Sequence, residues 1–341
     1  MKSVAIKKER EFEIKEIEEP VRDGQNVIID VKKTGICGSD IHYWVSGSPE
    51  GLVMGHEFSG VVVDPGSRED LKVGDRVTAL PISPCGECEA CTTGNIQYCL
   101  HTWDDAVGLS LSTPGGLTPR IKVRPDMVIK VPDTVSDEEA AMVEPTAVGL
   151  HAVTLADIKV SDKVLVVGAG IIGLVCAMFA KMEGASYVAV SETNPVRGNK
   201  AVELGVADEY LNALDEKFAE TALLKSKGGF DKVIECCGNS AAVTSALMAV
   251  KTGGRVILVG VSMTPVTIPT IITVLHELDV QGAIAYTKEE FVTSLELMEE
   301  KRIDVLKFLD KVVPLEETQR SYETLTSNDN SCIKILVDPN K

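Results

Sequence analysis

Short apolar runs alternate with polar breaks along this chain, and the period of the alternation changes once. Through residue 145 or so, β-type runs such as Val27–Val31 and Phe58–Val63 are broken by Gly, Pro and Asp, which predicts a mostly β domain with loops. From about 150 to 285 strand patterns alternate with helical ones. Strands are expected at Lys163–Val167, Tyr187–Ser191, Lys232–Glu235, Arg255–Val259 and Asp279–Gly282, with helices from about Ile172 and near Pro195. This alternation predicts a parallel, doubly wound sheet. The C-terminal stretch carries a helical pattern near Lys288–Lys301 and a final strand, Cys332–Val337, able to return to the first domain. The expected class is α/β, with one domain from residues 1–149 and 286–341 and a second from 150–285. At 341 residues, two domains are also what chain length alone suggests.

Composition removes several classes of function. Hydrophobic residues make up 44% and charged ones 25%, an ordinary globular balance that does not indicate disorder. A formal net charge of -17 disfavours nucleic acid and anionic membrane surfaces as partners, since both require a basic face. Val164 to Ala180 is the longest apolar run, but three glycines interrupt it and it is short for a membrane span. The opening MKSVAIKKER has no apolar signal segment, so a cytoplasmic location is expected. There the nine cysteines would stay reduced, and clustered ones would hold metal rather than disulfides. Cys176, Cys236, Cys237 and Cys332 stand outside the clusters and are expected to be packing residues.

Three constellations carry chemistry. Val164 to Val167 runs into Gly168-Ala169-Gly170-Ile171-Ile172-Gly173 and then a helical pattern. Strand, glycines and helix in this register let backbone N–H groups approach a pyrophosphate. Glu192, at the end of the next strand, can accept hydrogen bonds from ribose hydroxyls and repel a 2′-phosphate, so NAD is favoured over NADP. Arg197 nearby could instead accommodate that phosphate. The bland alternative is a glycine turn that serves only packing. The second constellation, Cys85, Cys88, Cys91 and Cys99, suits a closed tetrahedral zinc shell of structural type, although iron–sulfur ligation uses similar spacings. The third is dispersed: Cys37, His56-Glu57 and Glu144, a thiolate, an imidazole and carboxylates of the kind that hold a catalytic zinc with one open position. Spacing alone does not bring these last residues together.

The order Cys37-Gly38-Ser39-Asp40-Ile41-His42-Tyr43-Trp44, Gly55-His56-Glu57, the four-cysteine lobe, Glu144-Pro145 and the glycine loop resembles zinc-containing medium-chain dehydrogenases over nearly the whole chain. Glu144, where alcohol dehydrogenases carry Cys, points to the branch of sorbitol, galactitol-phosphate, threonine and butanediol dehydrogenases. The resemblance implies a GroES-like catalytic domain around a Rossmann domain, with Cys37 and His56 as catalytic-zinc ligands. Glu57 and Glu144 would be carboxylates that bind directly or through water, and which is inner-sphere stays open. Ser39, His42 and Tyr43 are the expected proton relay or substrate contacts, while His151 is expected to be structural. The cofactor set comprises Gly168, Gly170, Ile172, Gly173, Glu192 and Arg197, with Val259, Gly260, Val261 and Ile284 added on later strand ends. Departures border the expected substrate pocket: a short segment between Cys37 and His56, Gly115 to Arg120 in place of an aromatic-rich pattern, and Ala285 where polyol dehydrogenases tend to carry Arg. They put a free polyol in question.

The implied reaction moves hydride between a secondary alcohol and NAD, one catalytic and one structural zinc per chain assisting. Partners are then a small alcohol or ketone and further copies of the chain, in a homodimer or homotetramer, with the stretch from Pro265 to Thr273 as a candidate sheet-extending strand. Two rivals remain: a zinc-independent NADPH-linked quinone or enal reductase, and a non-catalytic protein that binds zinc and nucleotide.

Overall fold

The computed structural model describes residues 1–327 and 331–341, and they divide into two compact units. The first holds Met1–Ala147, the segment that begins at Tyr286, and Lys334–Lys341. The second holds Val148–Ala285 and the short stretch 331–333.

In the first unit the chain lays down β1 (Lys2–Lys8), β2 (Glu11–Glu16), β3 (Val27–Gly35), β4 (Glu57–Asp64), β5 (Arg76–Ala79), β6 (Arg120–Val123) and β7 (Val128–Lys130). The helix Val143–Ala156 then leads to the second unit and β8 (Lys163–Val167), β9 (Tyr187–Glu192), β10 (Glu209–Asn212), β11 (Phe230–Glu235), β12 (Val250–Leu258) and β13 (Asp279–Gly282). The chain returns to the first unit with β14 (Leu309–Pro314) and β15 (Lys334–Asp338).

β1 and β2 form an antiparallel hairpin. The main sheet of this unit runs β14-β15-β3-β4-β5-β7, and β6 pairs with β3. All five residues of β15 are buried, which its apolar Ile335-Leu336-Val337 favours, and it becomes a central strand against β3. Val4, Ile6, Trp44, Leu52, Met54 and Tyr322 are among the residues of the adjoining core.

The second unit is a six-stranded sheet in the order β10-β9-β8-β11-β12-β13, every neighbouring pair parallel. Four of the five residues of β8 are buried, as expected of a strand covered on both faces. Strand order reverses direction between β8 and β11, which places the topological switch point of the sheet at their carboxyl ends. The run from Val164 to Ala180 divides there into strand, glycine loop and the helix Ile171–Met182. A Cβ at Gly173 would stand 1.9 Å from the Gly168 carbonyl oxygen, which is why strand and helix meet so closely. Among the described residues no helix is long and apolar enough to cross a membrane.

Two expectations need correction. Pro265 to Thr273 forms no strand; the prolines withhold ladder donors, and Pro269 caps the short helix Thr270–Leu275. Of the four cysteines expected to pack, only Cys176 is buried; Cys236 and Cys332 are half-buried and Cys237 is exposed, because Cys237 falls in the turn after β11.

Candidate active site

The chain leaves β3 through Gly35 and Ile36 and turns at Cys37 into the helix Gly38–Ser46. Asp40 fixes that turn: one carboxylate oxygen accepts the Cys37 N–H at 3.1 Å, and the other lies 3.2 Å from Nδ1 of His56. With Nδ1 turned to Asp40, Nε2 is the ring nitrogen left to ligate a metal. His56 immediately precedes β4, and the backbone before it is held by Gly115, Gly116 and Leu117, whose N–H groups donate to the carbonyls of Val53, Gly55 and Met54. Burial pushes the imidazole pKa down, but the charges of Asp40 and Cys37 carry it well above its ordinary value. The pocket therefore favours a cation at this point.

Glu57, the first residue of β4, pairs with Gly35 across the sheet. On the other side of β3, β15 brings in Lys334, and its ammonium forms an ion pair with Glu57 and donates to the Ile36 carbonyl at 3.0 Å. Both side chains are fully buried. Gly35 is obligatory between them, since a Cβ there would stand 1.9 Å from Glu57 Oε2. The other oxygen, Glu57 Oε1, is buried without a hydrogen-bond partner.

Ligand atoms of Cys37, His56 and Glu57 all lie within 4.8 Å of one another. Glu144, at the start of the helix Val143–Ala156, does not join that group. It accepts a hydrogen bond at 2.9 Å from the hydroxyl of Tyr286, a fully buried residue. Loss of surrounding water pushes the Glu144 carboxyl up to about 7, and the Glu57 charge adds to this against the pull of His56 and Tyr286. Ser39 donates to Cys37 Sγ at 3.3 Å. His42 is exposed on the same helix, whereas Tyr43 is partly buried against the core. His151 is buried.

The four cysteines of the lobe also converge within 4.8 Å. Cys85 and Cys91 sulfurs are 3.9 Å apart, those of Cys88 and Cys91 3.6 Å. A tetrahedron with Zn–S bonds of about 2.3 Å has edges of roughly 3.8 Å. Backbone N–H groups of Cys85, Gly86, Cys88 and His101 donate to the sulfurs at 3.3 to 3.4 Å, a pattern that stabilises thiolates. The Cys99 thiol is pushed down to about 6, chiefly by the Cys85 N–H.

In the second unit, Gly168 and Gly170 form the turn from β8 into its helix, and Ile172 and Gly173 lie in that helix's first turn. A Cβ on Gly170 would meet nothing within 4 Å, and no side chain caps the helix, so its first N–H groups are left for a ligand. Glu192 Oε2 accepts the Ala169 N–H at 2.8 Å. Its Oε1 accepts from the backbone of Thr193 and Asn194 and from Arg197 at 3.0 Å. Burial pushes this carboxyl up, yet Asn194, Arg197 and Ala169 together hold it below the usual range, as an anion. Val259 and Gly260 lie on the loop after β12, with Val261 exposed beyond them, and Ile284 is exposed after β13.

Residues 23–133 match the alcohol dehydrogenase GroES-like domain, and residues 172–300 match the zinc-binding dehydrogenase domain. Sorbitol dehydrogenase of Bacillus subtilis (strain 168) is 32% identical over 355 residues, which span 100% of this chain and 98% of that one. The chain belongs to the zinc-binding alcohol dehydrogenase family. Human sorbitol dehydrogenase is 32% identical over 92% of this chain and 89% of its own. Among solved structures, 2R,3R-butanediol dehydrogenase from Bacillus subtilis superposes with a TM-score of 0.88 at 30% identity, covering 99% of both chains. Galactitol-1-phosphate dehydrogenase from Escherichia coli gives 0.88 at 25%, covering 99% of this chain and 100% of that one.

The donor sets suit the zinc that this family binds. Cys37, His56 and Glu57 offer three ligands and a buried oxygen that lacks any other partner, and the lobe offers four sulfurs at tetrahedral spacing. Asp40, Tyr286 and Lys334 were missed by sequence reasoning. Asp40 stands three residues from Cys37, a spacing that signals a helix start. Lys334 left only a faint trace, a lysine inside the apolar run Ile333-Lys334-Ile335-Leu336.

Lys334→Met should strand the Glu57 charge and lower the stability of the metal-free protein by about 3–5 kcal/mol. Urea unfolding measures this; a value within about 0.5 kcal/mol of wild type would remove the pair from any structural role.

Proposed function

We propose that this chain oxidises the secondary alcohol of a diol, polyol, polyol phosphate or β-hydroxy amino acid to the ketone with NAD, or catalyses the reverse reduction. The observation that carries the reading is the convergence of Cys37, His56 and Glu57, with Oε1 of Glu57 otherwise unpartnered. Zinc supplies the Lewis acidity that makes an alcohol hydroxyl acidic near neutral pH, and the nicotinamide supplies the hydride acceptor. Polyols and vicinal diols come into view through the sorbitol and butanediol dehydrogenases among the relatives. Ala285 offers no guanidinium to a polyol, which favours a smaller diol or a substrate bound through other groups.

The residues then divide the work. Cys37, His56 and Glu57 hold the metal, and Asp40 orients His56. Lys334 offsets the Glu57 charge. Glu144 stays outside the ligand shell, its carboxylate accepting the Tyr286 hydroxyl. Ser39 donates to Cys37 Sγ in this structure; to relay the substrate proton its hydroxyl turns from Sγ to His42 or water and gives up its own proton there as it takes the substrate's. The four cysteines bind a second, structural zinc. The zinc-independent reductase is the weaker reading, since it has no use for three converging ligands.

Glu192 makes NAD the preferred cofactor. Its anionic oxygens repel a 2′-phosphate and tie up Arg197, the group best suited to welcome one. All nine cysteines are free, in keeping with a cytoplasmic, reducing compartment. Among the described residues β13 ends the parallel sheet, and Val261, Met263, Ile271, Val274 and Leu275 beside it in sequence are exposed. A second copy is proposed to cover this face in a homodimer or a tetramer built from it.

Metal analysis should find about two zincs per chain. Cys37→Ala should retain one, while Ser39→Ala should keep both and lose kcat on whichever diol, sugar alcohol, sugar-alcohol phosphate or β-hydroxy amino acid yields NADH. Turnover of none of these, or full activity without the Cys37 zinc, would defeat the reading. Glu192→Ala should raise the KM for NAD and free Arg197, with NADP use rising; unchanged selectivity would take Glu192 out of the ribose site. Light scattering should show a dimer or tetramer that Ile271→Asp dissociates, and a monomeric wild type would refute the proposed contact.

A further inference from the structure

The end of β11 carries an acid with no part in the chemistry above. Glu235 is the last residue of β11 and is fully buried. Its Oε1 accepts the N–H groups of Cys237 at 2.6 Å and Gly238 at 2.8 Å. Its backbone carbonyl accepts the N–H groups of Val259 at 2.8 Å and Gly260 at 3.0 Å. A single residue thus ties down the loops leaving two neighbouring strands.

Those loops press on one another and on the glycine turn. A Cβ on Gly260 would stand 2.0 Å from the Gly238 nitrogen, so the two backbones touch with no side chain between them. One on Gly168 would stand 2.7 Å from Cys237 Sγ, and the Cys236 N–H donates to the Val167 carbonyl at 2.9 Å. The loops after β8, β11 and β12 therefore form one interlocked rim at the carboxyl ends of the parallel strands, where a dinucleotide lies in this sheet order. A carboxyl buried at such a place carries a desolvation cost, and burial does push Glu235 up from its ordinary value against the pull of the two N–H donors.

We propose that Glu235 is a positioning residue for dinucleotide binding: by accepting the Cys237 and Gly238 N–H groups it sets the wall of the cofactor cradle beside the glycine turn. The assignment rests on the dehydrogenase reading above. Its role is that of a hydrogen-bond acceptor at a fixed place, not that of a charge. Without the acceptor the two N–H groups turn outward to find other partners, and the contacts with Gly168 and Gly260 shift with them.

Calorimetric titration of the zinc-loaded full chain with NADH tests this, with zinc content and thermal unfolding recorded for each variant. Glu235→Leu removes the acceptor and should weaken NADH binding by about tenfold or more, the kinetic loss falling on the KM for NAD more than on kcat. Glu235→Gln offers an amide oxygen to the same two N–H groups and should recover most of the affinity. Should the leucine variant fail to fold, Glu235→Asp, one methylene too short to serve both donors, should still fold and bind more weakly than the glutamine variant. NADH affinity unchanged in the folded leucine variant, or in the aspartate variant in its place, would overturn the assignment. So would a glutamine variant as impaired as leucine, because charge rather than geometry would then be at work. A wild-type chain that binds no dinucleotide would bring down the dehydrogenase reading itself, and this assignment with it.

Discussion

Glu57 and Lys334 meet where water does not reach, and neither charge could stay there alone. A buried carboxylate or ammonium without its partner has lost its hydration with nothing in return, at a cost of about 3–5 kcal/mol. Together they hold one oxygen of Glu57 in place and leave the other without a partner. The pair also fixes the architecture around it. β15 must run beside β3 to deliver the lysine, β4 must run on the opposite side to deliver the glutamate, and Gly35 must lie between them with no side chain. The first and last parts of the chain are thereby locked into one sheet before any metal is considered.

Around this pair the two remaining acids are handled differently, and the difference is chemical. Asp40 is spent on orientation, with one oxygen on a backbone N–H and the other against His56. Glu144 is answered by the phenol of Tyr286, a neutral donor that leaves the carboxyl near the boundary between its two protonation states. Three carboxylates of the same chemical type are thus set apart only by what each one faces.

The parallel sheet uses the same economy with backbone groups. Glu192 gathers N–H groups from the glycine turn and from its own turn, and Glu235 gathers them from the turn beside it. Acidic side chains at the carboxyl ends of neighbouring strands organise loops that would otherwise present unpaired donors. One of these acids could be foreseen from its distance to the glycines. The other could not, because a glutamate closing an apolar strand looks like any residue at the edge of solvent until its burial is known.

Periodicity by itself determined the α/β class, the parallel strands after residue 150 and the glycine turn, since each depends on neighbours a few residues apart. The four-cysteine lobe was legible for the same reason: all its ligands fall between residues 85 and 99. Local reading went wrong from Pro265 to Thr273, where proline chemistry outweighed an apolar pattern, and at Cys237, where a turn exposes a residue type that is usually buried. Only the tertiary structure decided that ligand atoms of Cys37, His56 and Glu57 lie within 4.8 Å of one another, that Glu144 meets the Tyr286 hydroxyl, and that Lys334 pairs with Glu57. Those relations join residues separated by up to 277 positions, and no local pattern encodes them. They exist because strand pairing places β15, β3 and β4 side by side, and because a charge buried in that sheet requires its counterpart within reach.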